Sequence, residues 1–434
     1  MCYAIPGKVV SLSGKTAIID YFGEQKRAFN ELSGLAAGDY VYAQGGYVIQ
    51  KVPPAQAQEI LSTWHELFLQ LNEVDLRYSR LADNRSSGVP ELDHILDKAC
   101  LGRKLGNEEM LYLLGLRDTE QIGMLLKSGN FLRQKYHRNA CCVHGILEIS
   151  NRCSRNCAYC GISSHNKRLS RYRMTKEEVL SCVGEAVECH GFKAVVLQSG
   201  EQTEADIEEL SGLVRAIKEK YAVLVLVSFG EIGEEGLSKL FSAGARGLLM
   251  RFETSNPALY RSLHPGYELD SRVRQIRAAY RMGYLIITGG LIGLPGQTRQ
   301  DIINDIHLAA ELDAEMFSFG PVLPHPGTPL SGISAPSEDE LFKVLALARI
   351  AAPAEAKILL TTAAETLTPD AGRKGLLAGA NSLMLNLTPL AYRPLYSLYP
   401  SRAHSTENIS LQVEGTMQLL KSLGRVPIDL GIGL

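Results

Sequence analysis

From about residue 143 onward, short apolar segments alternate with longer segments of helical character. Eight of the apolar segments have the length and composition of buried strands: VHGILEIS, KAVVLQS, LVLVSFG, GLLMRFE, LIITGGLIG, MFSFGPVLP, KILLTTAA and SLMLNLT. Segments such as TKEEVLSCVGEAVECHG and TRQDIINDIHLAAELD lie between them. Eight parallel strands with helical crossovers predict an α/β fold, a (β/α)8 barrel of the TIM type, with its working residues at the carboxyl ends of the strands.

The N-terminal part of the chain has a different pattern. The short runs GKVVSL, KTAIIDYF, QKRAFN and DYVYAQGGYVIQKV are separated by Gly, Ser and Asn turns, and they predict a small, OB-like β-barrel that ends near Pro53. We expect an amphipathic helix to follow, because apolar residues recur at intervals of three and four positions and would share one helical face: Ile60, Leu61, Trp64, Leu67, Phe68 and Leu71. We therefore expect a small domain over residues 1–75, a linker over 76–90 and the large barrel with a helical lead-in over 91–434.

Composition limits the classes of function. A chain of 434 residues that is 45% hydrophobic can bury a large core without disulfides. The opening MCYAIPGKVV lacks a basic segment followed by an apolar run, and about eighteen consecutive apolar residues occur nowhere, so we expect a cytoplasmic protein. A net charge of -2 gives no electrostatic signature for nucleic acid or an anionic membrane. Small molecules and proteins are the expected partners.

Three cysteines lie within eight residues, directly after the first predicted barrel strand. The stretch EISNRCSRNCAYCGISS contains Cys153, Cys157 and Cys160, and in a reducing compartment such thiols are more often metal ligands than disulfides. Zinc sites usually have four ligands, and no fourth ligand is close in the sequence. A cubane iron-sulfur cluster held by three thiolates would leave one iron open to another molecule. An ordinary zinc site, an electron-transfer site and a chance cluster remain as alternatives.

The spacing Cys-x3-Cys-x2-Cys, with Tyr159 before the last cysteine, resembles the signature of radical S-adenosylmethionine (SAM) enzymes. The resemblance implies a 4Fe-4S cluster on these three cysteines, whose open iron binds the amino and carboxylate groups of SAM. One electron from the cluster would then cleave SAM to methionine and a 5′-deoxyadenosyl radical. A cluster with four protein ligands could not chelate SAM, so the missing fourth cysteine has a functional meaning.

The same resemblance implies SAM contacts at the ends of other strands. Arg251 and Glu253 are two apart at the predicted end of strand four, which places them on one side, and charged groups that end an apolar strand need partners. Glycines of GGLIGLPGQT suit an adenosine-binding edge, although ordinary turns and, for Arg272, a solvated helix face remain alternatives. The implied SAM-binding residues are Tyr159, Gln198, Ser199, Glu201, Ser228, Arg251, Glu253, Arg272 and Gly293.

Within this superfamily, the chain is similar to the HydE-type radical maturases of FeFe-hydrogenase, and it resembles biotin synthase and methylornithine synthase less closely. RYRMTKEEVL, VVLQSGE, RFETSNPALYRSLHP, GLIGLPGQT, FGPVLPHPGTPL, GLLAGANSLMLNLTP and YRPLYSLYP follow one another as in that family, over roughly residues 90 to 425. The likeness implies an iron substrate bearing cysteine, carbon monoxide and cyanide, in a cavity lined by Tyr396 and Tyr399. It also implies a reductant such as ferredoxin or flavodoxin, and other hydrogenase maturases as partners.

Two other functions stay open, a radical mutase or lyase acting on an amino acid, like methylornithine synthase, and a non-catalytic iron-sulfur scaffold. Many family members carry further cysteines after the last strand, which could hold an auxiliary cluster. This chain reads SRAHSTENISLQVEG there, so a second cluster is not expected. The remaining thiols considered, Cys141, Cys142, Cys182 and Cys189, are expected to be structural and to lie in helical or buried segments.

The opening MCYAIPGKVVSL resembles the HypC-type chaperones of NiFe-hydrogenase maturation, over residues 1 to about 75. That resemblance implies that the Cys2 thiolate helps to carry an iron bearing carbon monoxide and cyanide, for which a soft ligand is suited. Gln44 stands where those chaperones have a histidine, so docking to a partner protein is the alternative. A fused module that holds or guides an iron precursor would give the radical barrel a high effective concentration of it.

Overall fold

The structure is a computed structural model and describes residues 5–81, 87–201, 204–428 and 430. Its first five strands close into a small barrel in the order β1-β2-β3-β5-β4, as the sequence predicts. Alternate residues such as Ala17 and Ile19 point inwards and are fully buried, which is the period-two pattern of a filled barrel. The strands are β1 (Gly7–Ser13), β2 (Thr16–Tyr21), β3 (Glu24–Asn30), β4 (Tyr40–Gln44) and β5 (Tyr47–Val52).

Four helices connect the two barrels: α1 (Pro54–Ser79), α2 (Pro90–Cys100), α3 (Asn107–Gly115) and α4 (Thr119–His137). The helix predicted after Pro53 is present, but it continues four residues past position 75, into the range predicted as linker. One face of its last turns is buried, and on that face Asp75 pairs with Arg133 at 2.8 Å and with Arg425 at 2.9 Å. Residues 82–86 of the predicted linker lie outside the described residues.

The eight predicted strands of the large barrel are present and parallel. They pair in chain order, and pairing of the last strand with the first closes the barrel. The strands are β6 (Ala140–Ser150), β7 (Ala194–Ser199), β8 (Leu224–Ser228), β9 (Ala245–Leu249), β10 (Leu285–Thr288), β12 (Met316–Ser318), β14 (Lys357–Leu359) and β15 (Ser382–Asn386). A further short strand, β16 (Val426–Pro427), pairs with the start of β6.

Helices surround these strands, and capping explains where two of them begin. The side chains of Thr175 and Thr298 each accept a hydrogen bond from a backbone N–H one turn into the helix. In return, the carboxylates of Glu178 and Asp301 accept a hydrogen bond from the backbone N–H of the respective threonine. The helices are α5 (Lys176–Gly184), continued by a π-helical turn at Glu185–Cys189, α6 (Glu204–Lys220), α7 (Gly233–Ser242), α8 (Pro257–Leu263), α9 (Leu269–Arg281), α10 (Arg299–Glu311), α11 (Glu338–Ala351), α12 (Thr362–Leu367), α13 (Ala371–Leu377) and α14 (Ile409–Ser422), with a 3-10 turn at Arg393–Leu395. In the described part of the chain, no helix is long and apolar enough to cross a membrane.

The structure differs from the sequence prediction at strands four, five and six. β9 ends at Leu249, so Arg251 and Glu253 lie in the loop after it, and Glu253 has a φ of +69°. The fifth and sixth strands are each interrupted, and their continuations, β11 (Leu291–Ile292) and β13 (Gly320–Pro321), form a separate parallel pair. The interruption at Gly289 requires glycine, since a Cβ there would lie 2.3 Å from the Ser318 carbonyl oxygen.

The small barrel covers the amino-terminal end of the large barrel, opposite the end where catalytic loops of such barrels lie. The buried Gln44 side chain donates to the Ile428 carbonyl at 2.5 Å, and Tyr47 donates to the Gly283 carbonyl at 2.9 Å. Glu31 pairs with Arg246 at 2.8 Å. Residues of both barrels share one apolar core cluster. Gln44 therefore joins the two domains within the chain.

Candidate active site

The loop that carries the three clustered cysteines follows β6 at the carboxyl end of the large barrel. Its two ends are held by Arg171, whose guanidinium donates to four carbonyl groups, those of Asn151 (2.6 Å), Ile162 (2.7 Å), Ser163 (2.7 Å) and Asn166 (3.2 Å). Five guanidinium donors in a planar fork suit this task. Arg171 was not predicted as a site residue. Its partners are backbone carbonyl groups, which every residue type carries, so the sequence gives no sign of them.

Two glycines let neighbouring loops approach the cysteines closely. A Cβ on Gly161 would lie 1.9 Å from the Ser397 carbonyl oxygen, and one on Gly200 would lie 2.5 Å from Cys153 Cβ. The Gly161 N–H also donates to the Leu398 carbonyl at 2.8 Å. The loops after β6, β7 and β15 are thus packed against one another around the thiols.

Burial disfavours deprotonation of the three thiols unless a positive charge lies close to them. It raises the pKa of Cys153, raises that of Cys157 well above its ordinary value, and raises that of Cys160 to about 12. Cys153 Sγ accepts a hydrogen bond from the Glu201 N–H at 3.3 Å, and the backbone of Arg155 and Glu201 opposes the rise in its pKa. Iron would supply the positive charge that three adjacent thiolates need.

The donor set fits an iron-sulfur cluster. One loop supplies three free thiols, and cysteine thiolates are the protein ligands of such clusters, each bound to a different iron in a cubane. Cys153, Cys157 and Cys160 are therefore the residues that would hold a 4Fe-4S cluster.

A network of four charged side chains adjoins the cysteine loop. Arg155 forms a short ion pair with Glu201 and lies 3.1 Å from Glu231, and Arg272 lies 3.0 Å from Glu231 and 3.7 Å from Glu201. Burial raises the pKa of Glu201, and its hydrogen bonds and the two arginines oppose that shift. Glu201 and Arg272 were predicted from the sequence, whereas Arg155 and Glu231 were not, because their partners are distant in the sequence.

Two further pairs flank the network. Arg251 Nη2 lies 3.0 Å from Glu253 Oε2, so the two predicted residues are together although neither lies in a strand. Tyr159 is next to His264, with 3.3 Å between the hydroxyl and Nε2. Burial raises the pKa of Tyr159 well above its ordinary value, and burial, with the nearby Arg272 charge, lowers the pKa of His264 to about 3. The phenol and the imidazole are both neutral at physiological pH.

A cavity of about 280 Å³ opens between these groups. Its inner wall is apolar and includes Ile146, Leu249, Leu359 and Met384 from the barrel interior. The predicted site residues that line it are Tyr159, Cys160, Gln198, Ser228, Arg251, Glu253, Arg272 and Tyr399. One cluster thiol and most of the predicted SAM contacts therefore face a single cavity.

Other predicted residues lie near this cavity without lining it. Ser199 donates to the Gly200 carbonyl at 2.7 Å, and Gly293, with a φ of +85°, donates to Gln297 Oε1 at 2.9 Å. Tyr396 is only 1% exposed and packs in the barrel core cluster, and its predicted place at the substrate stays a prediction. Cys2 lies outside the described residues.

An arginine that the sequence analysis missed reaches the cavity from the segment after β15. Arg402 lines the cavity and pairs with the wholly buried carboxylate of Glu148 on β6. Its Nε is buried and has no hydrogen-bond partner among the described residues. An unsatisfied guanidinium N–H beside a cavity is a donor for a polar or anionic group of a ligand.

Comparison with known proteins agrees with this geometry. The radical SAM superfamily model matches residues 147–309, and the HupF/HypC family model matches residues 1–64. The [FeFe] hydrogenase maturase subunit HydE of Thermotoga maritima is 37% identical over 325 residues, which cover 75% of this chain and 92% of that protein. The chain belongs to the HydE family of radical SAM enzymes. It is therefore an enzyme that uses a 4Fe-4S cluster and SAM, with a HypC-like domain at its N-terminus.

More distant relatives of this HydE-family chain share the large barrel. The 3-methylornithine synthase of Methanosarcina barkeri is 28% identical over 69% of this chain and 85% of that protein. The crystal structure of methylornithine synthase (PylB) superposes with a TM-score of 0.66 and 25% identity, covering 77% of this chain and 97% of that one. The (β/α)8 fold is thus confirmed, and both expected distant relatives, methylornithine synthase and biotin synthase, are among the matches.

Proposed function

We propose that this chain is a HydE-type maturase, whose substrate is an iron complex bearing cysteine, carbon monoxide and cyanide for the assembly of the FeFe-hydrogenase cofactor. The observation that carries the proposal is the single cavity that Cys160 shares with the predicted SAM contacts and Arg402. The 37% identity to a protein named as an [FeFe] hydrogenase maturase subunit supports it.

In this proposal the charged residues of the cavity orient SAM. Arg251 and Arg272 bind its carboxylate, while Glu253, Gln198 and Ser228 bind its amino and ribose groups, assisted by the backbone around Ser199, Glu201 and Gly293. SAM bound at the cluster supplies a 5′-deoxyadenosyl radical. The apolar wall excludes water, and Tyr159 and His264 are neutral at physiological pH, so neither adds a charge beside the bound SAM.

The substrate is proposed to lie deeper in the cavity, against the apolar wall. Tyr399, Thr361 and Thr362 line that part, and Arg402 offers the unsatisfied N–H. A complex with cyanide and carboxylate groups presents acceptors for these donors, and its carbonyl ligands suit apolar contacts. Cys2 remains proposed as an iron ligand of the small domain, and a ferredoxin or flavodoxin and other hydrogenase maturases remain proposed partners.

The experiment that tests the substrate is an anaerobic assay of the reconstituted, reduced protein with SAM. An iron(II)-cysteine complex carrying carbon monoxide and cyanide is added in one arm, and amino acids, including lysine, in another. We expect the iron complex to stimulate 5′-deoxyadenosine formation and to yield an adduct of the nucleoside with sulfur, detected by mass spectrometry. Stimulation by an amino acid alone, with a rearranged product, would support the methylornithine synthase-like alternative instead.

A further inference from the structure

A second cavity, of about 450 Å³, lies where the small barrel covers the base of the large barrel. The small barrel contributes Lys26, Gly45 and Gly46 to its wall. Gly45 has a φ of +53°, and a Cβ there would lie 2.6 Å from Leu285 Cδ1, so the turn after β4 fits closely onto the strand ends of the large barrel. We call this cavity the base chamber. It exists because the two domains are docked within one chain.

The base chamber is lined by a thiol, an imidazole and a thioether. Cys142 and His144 are two apart on β6, so their side chains project on the same face of the strand. Met316 lies on the same level, since Ser382 is opposite Cys142 in the strand pairing and its hydroxyl contacts Met316 Sδ at 3.3 Å. All three line the chamber and are buried.

The neighbouring residue Cys141 provides a contrast on the same strand. Adjacent residues of a strand face opposite sides, and Cys141 packs into the outer core between the strands and the helices, whereas Cys142 belongs to the core shared with the small barrel. Both thiols are buried, at 0% and 1% exposure. The two thiols therefore have different surroundings but nearly the same solvent exposure.

We propose that the base chamber is a second metal site, a loading site for the iron(II) of the substrate, with the Cys142 thiolate and the His144 imidazole as its protein ligands. The proposal rests on the proposed function, which makes iron part of the substrate. Thiolate and imidazole donors suit borderline divalent ions such as iron(II). Binding replaces the thiol proton by the metal, and no electron is transferred. Two protein ligands leave positions for ligands that the iron itself carries.

The charge and the position of the chamber suit this role. The wall contains three lysines, of which Lys26 pairs with Glu24 and Lys357 pairs with Glu315. The third, Lys135, donates to the Cys100 carbonyl at 3.0 Å, so its ammonium group is held by a backbone acceptor. Ile146, two residues beyond His144 on the same face of β6, lines the active-site cavity. Two residues of a strand span about 7 Å, so the loading site and the active-site cavity are separated by one layer of the barrel interior.

The test is an anaerobic cobalt(II) titration of full-length protein. The parent is the variant Cys2→Ala, Cys153→Ala, Cys157→Ala, Cys160→Ala, in which no iron-sulfur cluster absorbs and the proposed iron ligand of the small domain is absent. Cobalt(II) is the probe because its thiolate complexes give charge-transfer absorption in the near ultraviolet. We expect the parent to show this band and the additional change Cys141→Ala to retain it. The additional change Cys142→Ala should abolish the band, and His144→Gln should weaken cobalt binding by more than about tenfold.

The outcomes separate this proposal from the proposed function. Absence of the band in the parent, or a band of equal intensity after Cys142→Ala, would overturn the loading site. His144→Gln keeps the proposal testable should the Cys142→Ala protein not fold, because unchanged affinity after His144→Gln would also overturn it. Neither result depends on SAM cleavage or on the iron complex, so failure here and failure of the substrate assay are distinguishable.

Discussion

At the scale of single residues, Arg171 is expected to determine whether the cysteine loop can hold its cluster. Arg171→Lys replaces a planar fork that serves four carbonyl groups by one ammonium group, and the loss of roughly two charge-assisted hydrogen bonds would cost about 3 kcal/mol of local stability. We expect less iron and sulfide per chain after reconstitution. The matched control is the exposed Arg168, and equal iron content in Arg171→Lys and Arg168→Lys would contradict the assignment.

His404 is expected to make stability depend on pH. Its pKa is raised to about 9, mainly by a hydrogen bond to Glu365 and also by Glu407. Because the unfolded-state pKa is about 6.5, the stabilisation is fully present below that pH and is lost as the pH rises to about 9. His404→Asn, which tolerates the φ of +60°, should lower the melting temperature at about pH 6 and have little effect at about pH 10. An equal decrease of the melting temperature at both pH values would show that the pairs of His404 with Glu365 and Glu407 do not stabilise the fold.

The cysteines and the side chains that support them differ in how far sequence reasoning can reach. Cys153, Cys157 and Cys160 could be predicted because their spacing is local. Arg402 could not be predicted, because its hydrogen-bond partner Glu148 lies 254 residues away in the sequence. The residues next to Arg402 form no motif that would single it out. Tyr399 lines the cavity, whereas Tyr396 packs in the barrel core cluster, and sequence alone does not tell which aromatic residue after a strand faces the cavity.

At the scale of elements, the contact between the cysteine loop and the segment after β15 is expected to be needed for cluster assembly. Gly161→Ala would place a methyl group 1.9 Å from the Ser397 carbonyl oxygen and force the two segments apart. Gly332→Ala is the control, since nothing lies within 4 Å of a Cβ there. We expect cluster absorbance and 5′-deoxyadenosine formation to fall in Gly161→Ala alone. Equal cluster content in the two variants would contradict this role.

The strands themselves were predictable, but their ends were not. Apolar runs of four to eight residues identified all eight strands of the large barrel. The runs LIITGGLIG and MFSFGPVLP read as continuous strands, yet close approach of Gly289 to the Ser318 carbonyl interrupts both. β9 ends before Arg251, where the chain turns and Glu253 adopts a positive φ. Such endings depend on neighbouring strands that the local sequence does not reveal.

At the scale of the whole molecule, helix α1 is expected to stabilise the large barrel more than its place in the small domain suggests. Deletion of residues 1–80 removes Asp75 and leaves the wholly buried Arg133 and Arg425 without their carboxylate, at a cost of about 3 to 5 kcal/mol. Deletion of residues 1–52 keeps that carboxylate while also exposing the barrel base. The shorter deletion should therefore unfold at a higher temperature in calorimetry, and equal melting temperatures would contradict this.

The docking of the two barrels lay beyond the sequence. Gln44 was recognised as a departure from the chaperone pattern, but its hydrogen bond to the Ile428 carbonyl joins positions 384 residues apart. The base chamber arises from that docking and could not be foreseen from the sequence. For that reason Cys142 was expected to be a structural thiol. Each domain could be predicted by itself because its pattern is local, whereas their contact depends on two folded surfaces.

The central claim is that Cys153, Cys157 and Cys160 hold the cluster at which SAM is cleaved. The most direct measurement is 5′-deoxyadenosine formed by the anaerobically reconstituted, reduced protein with SAM, beside the variant with all three cysteines changed to alanine. We predict the product from the wild-type chain and none above background from the variant. Equal product from both, or none from a wild-type chain whose cluster is visible by spectroscopy, would contradict the account.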